Sequence, residues 1–183
     1  EQIEKGKAFH KKRYGAEKFI AYFQSFTNTY ADVEILRACY EEALNDTDIV
    51  GISVGTRPDC ITDDILSLIN GYTKKYHVWI EYGLQSIHDK TLDRINRGHN
   101  YRIFLDAIHR TKKTCINICV HVILGLPGET REDMMETAEA VASLGIQGIK
   151  LHHLYVAKNT ALAEEYFQGK VQTLDMNSYT QIA

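Results

Sequence analysis

The chain has 183 residues, a length that fits one domain with a sizeable core. Hydrophobic residues make up 44% and charged residues 25%, with a formal net charge of −3 and a pI of about 6.3, so no basic field marks a nucleic-acid surface. No apolar run approaches the roughly 20 residues that span a bilayer, and the charged start at Glu1 is not a signal peptide. Four scattered cysteines, Cys39, Cys60, Cys115 and Cys119, are too sparse for a secreted disulfide scaffold, which argues for the cytoplasm.

Short apolar runs alternate with longer amphipathic stretches. Residues 1–13 read as the end of a charged helix, 18–24 as a strand, and 32–45 as a helix with Val33, Leu36, Tyr40 and Leu44 along one stripe. A second strand covers 49–54. Thr62 then caps a helix with Asp63 and Asp64 in its first turn and Lys74 and Lys75 in its last, as the helix dipole favours. A third strand covers 78–84, followed by helical stretches near 89–96 and 101–113. The fourth strand, 117–124, leads through Gly125-Leu126-Pro127-Gly128 to a helix over 130–144, which the capping-box pair Thr130 and Asp133 opens. A fifth strand covers 148–155, a helix 160–167, and a last helix begins near Leu174. Five strands that each feed a helix predict right-handed βαβ units and a parallel sheet. The expected fold class is α/β, a partial (β/α) barrel truncated at both ends, with residues 1–183 forming the central and C-terminal part of one domain.

The strands are not apolar on both faces, as buried parallel strands usually are. Val50, Ile52 and Val54 alternate with Gly51, Ser53 and Gly55; Val78, Ile80, Tyr82 and Leu84 with Trp79, Glu81, Gly83 and Gln85; Val120, Val122 and Leu124 with Cys119, His121 and Ile123; Ile149 and Leu151 with Lys150 and His152. A period of two puts each set on its own face. The apolar set packs under helices, and the small and polar set lines a concave wall. Buried polar groups without partners cost ~1–3 kcal/mol each, so this wall is either wetted by a polar ligand or satisfied internally. Polar residues also gather where strands end, at Gln24 and Asn28, at Thr56 and Arg57, and at Gln85 and Ser86, which is where parallel α/β sheets bind ligands.

Three segments stand out: Gly83-Leu84-Gln85-Ser86 with Asn96-Arg97-Gly98-His99 after it, His121-Val122-Ile123-Leu124-Gly125-Leu126-Pro127-Gly128-Glu129-Thr130, and Ser53-Val54-Gly55-Thr56-Arg57-Pro58-Asp59. In this order and spacing they resemble strands of the radical S-adenosylmethionine (SAM) enzymes, in the style of oxygen-independent coproporphyrinogen III oxidase and the Elongator catalytic subunit. Tyr22-Phe23-Gln24-Ser25-Phe26-Thr27-Asn28-Thr29-Tyr30-Ala31 narrows the resemblance to the bacterial YhcC-type proteins.

The resemblance implies that Gln85 and Arg97 grip SAM, an amide on a ribose hydroxyl and a guanidinium on the carboxylate. It implies that main-chain groups of Leu124, Gly125 and Leu126 read the adenine edge; the other reading of that turn is a bare strand-to-helix connection. His121 stands where the relative carries an acidic ribose ligand, with a core histidine as the alternative. Ser53 and Arg57 fall on the third-strand motif, Arg57 within reach of the SAM carboxylate or a substrate anion, while Gln24 and Asn28 replace the usual amine-binding turn.

The resemblance further implies a [4Fe–4S] cluster on C-x3-C-x2-C. Cys115-x3-Cys119 copies half of that spacing on the way into a strand and reads as core, so the cluster cysteines are expected upstream of Glu1 and the piece alone is expected to be inactive. Implied partners are SAM, an electron donor such as flavodoxin or ferredoxin, and an unknown substrate, with tRNA suggested by analogy. The adjacent His152 and His153 point to opposite faces of a strand and cannot chelate one ion together. The alternatives are another (β/α)-barrel enzyme, such as a phosphate-handling aldolase or isomerase, and a non-catalytic partner-binding domain.

Overall fold

A computed structural model describes residues 1–183. Five strands follow chain order across one sheet, β1-β2-β3-β4-β5. The chain divides into two compact units, Glu1–Tyr82 with Asp106–Ile118, and Gly83–Leu105 with Cys119–Ala183.

The first unit runs α1 (Gln2–Tyr14), β1 (Phe19–Phe23), α2 (Val33–Leu44), β2 (Ile49–Thr56), a 3-10 turn at Pro58–Cys60, α3 (Asp63–Tyr72) and most of β3 (His77–Gln85). β1, β2 and β3 pair in parallel, with Tyr22 opposite Ser53 and Gly55 opposite Glu81. Ile52, Val54, Ile69, Val78 and Ile80 are sealed from solvent, each contributing about 1.5–3 kcal/mol by burial. The Tyr40 hydroxyl donates to Asn28 O at 2.6 Å, tying α2 to the loop after β1. Tyr82 is fully buried beside Thr111, 2.8 Å away, and burial pushes its phenol up to about 12. On the surface Lys7 of α1 pairs with Asp46 and Asp48 at 2.5 and 3.0 Å. Lys11 and Lys7 together hold the Asp48 carboxyl down at about 2.

The second unit contains the end of β3, α4 (Asp89–Arg94), the start of α5 (Tyr101–Thr111), most of β4 (Asn117–Leu124), α6 (Arg131–Ser143), β5 (Gly148–His153), α7 (Ala161–Phe167) and α8 (Met176–Ile182). β4 and β5 pair in parallel with Cys119 opposite Gly148, His121 opposite Lys150 and Ile123 opposite His152. Leu84, Leu92, Phe104, Val120, Val122, Met134 and Val141 are buried. α6 starts on the expected capping box: Asp133 N–H donates to Thr130 Oγ1 at 3.2 Å, and Thr130 N–H donates to Asp133 Oδ2 at 2.8 Å.

Three expectations about the scaffold are corrected. α3 ends at Tyr72, because Thr73 turns its N–H and hydroxyl onto Asn70 O, so Lys74 and Lys75 lie beyond the helix. β5 stops at His153, and its apolar set is not packed under helices, with Ile149 46% and Leu151 36% exposed; the strand is an edge, paired only with β4. β2 is buried on nearly its whole length, polar set included.

Candidate functional site at the end of the third strand

β3 delivers Gly83 and Gln85 to one face, and the chain then reverses through α4 to bring Arg97 back to them. Arg97 donates from Nε and Nη2 to Gly83 O at 3.2 and 2.6 Å, and His99 Nε2 reaches the same oxygen at 3.2 Å. The return requires left-handed backbone at Asn96 (φ 51°) and Gly98 (φ 81°), and the strand itself ends in left-handed backbone at Gln85 (φ 76°). For a residue with a side chain that conformation costs about 1–2 kcal/mol, and it persists where surrounding contacts over-determine it.

Gly83 leaves bare backbone beneath two side-chain ends. A Cβ would collide with Arg97 Nη2 and stand 2.8 Å from Gln85 Nε2, so both side chains converge over its bare backbone. Gln85 Oε1 is buried and has no hydrogen-bond partner within the protein. An orphaned acceptor of this kind costs roughly 1–3 kcal/mol. It stands beside a guanidinium and an imidazole, a set of donors and acceptors suited to hydroxyl and carboxylate groups of a polar ligand.

The second motif is tied to the first. Ser86, fully buried, donates to Glu129 Oε1 at 2.5 Å and accepts from His88 N–H at 3.0 Å, which fixes the turn after β4 to the loop after β3. Gly125 takes φ 82° and its N–H points at Met134 Sδ, 3.2 Å away. The Leu174 side chain fills the space where a Cβ on Gly125 would stand, at 2.9–3.1 Å. Leu124 O accepts from Leu154 N–H, and Leu126 O from Glu129 N–H. The side chains of Leu124 and Leu126 are buried, so these residues can offer a ligand only main-chain atoms. A groove of about 550 Å³ runs between the turn and residues 169–175.

The remaining sequence-named residues are engaged locally in the first unit. Ser53 Oγ donates to Glu81 Oε1 at 2.6 Å, and Tyr22 Oη donates to Glu81 Oε2 at 2.8 Å. This stretch of polar wall is therefore satisfied internally, the alternative to wetting by a ligand. Asn28 Nδ2 donates to both Phe23 O and Gly55 O at 3.0 Å, bracing the ends of β1 and β2. Gln24 is exposed beside it. Arg57 grips Asp59 through Nε and Nη2, at 2.9 and 2.5 Å. In the second unit His121 Nδ1 lies 3.1 Å from His152 Nε2. His153 faces the other way, donating to Leu174 O at 2.8 Å and meeting the Tyr179 ring.

The sequence reading did not assign His99 to the site, although it lies within the quoted motif. Its signal was the glycine between bulky residues of a strand, which marks close approach of another group. The cysteines do not fit a [4Fe–4S] cluster: Cys39 stands on α2, Cys60 on the 3-10 turn, Cys115 exposed before β4, and Cys119 buried within β4.

A family model described as the radical SAM superfamily matches residues 1–141. The chain belongs to the radical SAM superfamily. A model for a radical SAM C-terminal domain matches residues 146–183. YtqA of Bacillus subtilis is 44% identical over 165 residues, covering 90% of this chain and 51% of its own length. YhcC of Escherichia coli K12 is 41% identical over 169 residues, covering 92% and 55%. The chain thus spans about half the length of these relatives. Among solved structures, the archaeal Methanocaldococcus infernus Elp3 superposes with a TM-score of 0.80 at 20% identity, over 97% of this chain and 47% of that one. Coproporphyrinogen III oxidase of Escherichia coli gives 0.67 at 17%, over 89% and 38%. The fold is the partial (β/α) barrel of radical SAM proteins, and no helix is long and apolar enough to cross a membrane.

Proposed function

We propose that this chain is the SAM-binding portion of a radical SAM enzyme, with Gln85, Arg97 and the bare backbone of Gly83 as the centre of its cradle. The observation that carries the reading is the orphaned Gln85 Oε1, buried beside Arg97 where both side chains close over Gly83. Superfamily membership supports SAM-dependent radical chemistry in general and disfavours an aldolase or isomerase.

Gln85, Arg97 and the backbone near Gly125 would hold SAM, which would supply radical hydrogen abstraction from a substrate on cleavage to methionine by one electron from a donor outside these residues. The chain's own part is binding, orientation and exclusion of water. Gln85 Oε1 accepts from a ribose hydroxyl. Arg97, now on a carbonyl, offers a charge-assisted grip on the methionyl carboxylate. Main-chain atoms of Gly125 and its neighbours are available to an adenine edge. Ser53, Arg57, Gln24, Asn28 and His121 are secondary in this reading, since Ser53, Arg57 and Asn28 already hold local partners and His121 is paired with His152.

The substrate class is open to analogy only. A relative named tRNA-2-methylthio-N(6)-dimethylallyladenosine synthase, from Endomicrobium trichonymphae, is 29% identical over 109 residues. On that likeness tRNA is the first substrate to test, with a flavodoxin or ferredoxin as electron donor, in the cytoplasm.

Equilibrium dialysis of labelled SAM against the chain tests the cradle. Gln85→Ala and Arg97→Ala should each weaken binding by about tenfold or more, the equivalent of one hydrogen bond to a charged group. Binding unchanged in both variants would overturn the assignment.

A further inference from the structure

We propose that His99 is a positioning residue of the SAM cradle, the donor that keeps the Gly83 carbonyl satisfied when Arg97 leaves that oxygen for a ligand carboxylate. The inference rests on the reading of Arg97 as the carboxylate grip, and it adds a residue that acts only through Gly83.

Three N–H groups aim at one oxygen. Arg97 Nη2 and Nε lie 2.6 and 3.2 Å from Gly83 O, and His99 Nε2 lies 3.2 Å from it. A carbonyl oxygen offers two lone pairs, so one of the three donors is surplus. Gly98, between the two donor residues, takes φ 81°, a conformation glycine adopts without strain, and the turn it makes aims the residues on both sides of it at the same atom.

The two side chains are held differently. Arg97 is half-buried, and its guanidinium gains a charge-assisted, bidentate partner by moving from a neutral carbonyl to a carboxylate. His99 is only 7% exposed, and its ring is bracketed, with Nε2 on Gly83 O and Nδ1 3.3 Å from Asn100 O. Asn100 is itself fixed to the first turn of α5, since its Oδ1 accepts from Ile103 N–H at 3.0 Å and its O from Phe104 N–H at 3.4 Å. With Phe104 serving Asn100 O, a neutral imidazole that carries its proton on Nε2 is free to serve Gly83. One donor can swing away and the other cannot. Departure of Arg97 then leaves the buried Gly83 O with a bond it already has, rather than stripped of its side-chain donors. Loss of the last donor to a buried acceptor disfavours the state that lacks it by roughly fivefold or more.

Two measurements test this. In equilibrium dialysis of labelled SAM, His99→Phe keeps a buried ring without a donor and should weaken binding by about tenfold. His99→Gln, whose amide carries a donor to a similar reach, should restore binding to within about threefold of the unaltered chain. In urea unfolding of the SAM-free chain, His99→Phe and Arg97→Ala should be non-additive, because either donor alone serves the carbonyl. The double variant should lower the folded-to-unfolded ratio by about fivefold beyond the product of the single effects. Unchanged SAM binding in His99→Phe alongside weakened binding in Arg97→Ala would overturn the role of His99 and leave the cradle standing. Independent effects in the unfolding cycle would do the same. Unchanged binding in both Gln85→Ala and Arg97→Ala would remove the cradle itself, and this inference with it.

Discussion

Two stretches of polar wall treat similar residues in opposite ways. In the middle of the sheet Glu81 accepts from Ser53 and Tyr22, and both carboxylate oxygens are used. Four residues further along the same strand Gln85 keeps an acceptor that no protein group meets, on backbone bent into the left-handed region. Polarity on the inner face of a strand is thus not one signal. At mid-strand it closes a network that holds β1, β2 and β3 together. At the carboxyl end it stores an unmet hydrogen bond, and an unmet bond in a folded protein points to a missing partner.

The largest expected effect falls on the closed network. Glu81→Ala leaves the Ser53 and Tyr22 hydroxyls without their acceptor, and about 2–3 kcal/mol of stability should be lost in urea unfolding. A double-mutant cycle with Ser53→Ala should recover a coupling of about 1 kcal/mol or more. Additivity of the two substitutions would show that the network is not one unit.

At the open end the sign reverses. Gln85→Gly removes a buried unsatisfied oxygen and relieves φ 76°, so it should raise stability by about 0.5–1 kcal/mol while weakening SAM binding by about tenfold or more. A loss of stability would mean that Gln85 is structural and erase the contrast.

Gly83→Ala should sharpen it further. The new methyl displaces the far end of Arg97 rather than backbone, so the melting temperature should move little while SAM binding falls about tenfold.

The last effect belongs to the start of α6, outside both polar stretches. Thr130→Ala should cost about 1 kcal/mol by loss of the cap. Its partner Asp133 is held down at about 2 by the Thr130 N–H, then Lys90 and the Thr130 hydroxyl. A depressed carboxylate stabilises the fold above its ordinary pKa of about 3.9 and ceases to do so as pH falls through about 2. The acid limb of a stability profile between those values should therefore flatten in Thr130→Ala.

Much of the fold was legible because period-two strands and capped helices are written locally. Thr62 and Thr130 mark helix starts within four residues of the atoms they bond. The pairing of Gln85 with Arg97 was suggested by family likeness, and its setting, two side-chain ends closed over a bare glycine, emerges only in three dimensions. The end of α3 was misread because charge near a helix terminus is a weaker force than the turn that Thr73 makes on Asn70. The engagement of Asn28 with two strand ends and of Ser53 with Glu81 joins residues at least five positions apart, and no local pattern encodes such partners.

Leu174, lodged against Gly125, makes the turn after β4 and the segment leading into α8 a single cooperative patch. The His153 bond to Leu174 O and the Asp175 cap of α8 extend that patch to the last helix. Amide hydrogens of Ser178 and Tyr179 should then exchange in step with those of the turn rather than fray independently from the chain terminus. The outermost helix becomes a reporter of whether the turn beneath it is formed.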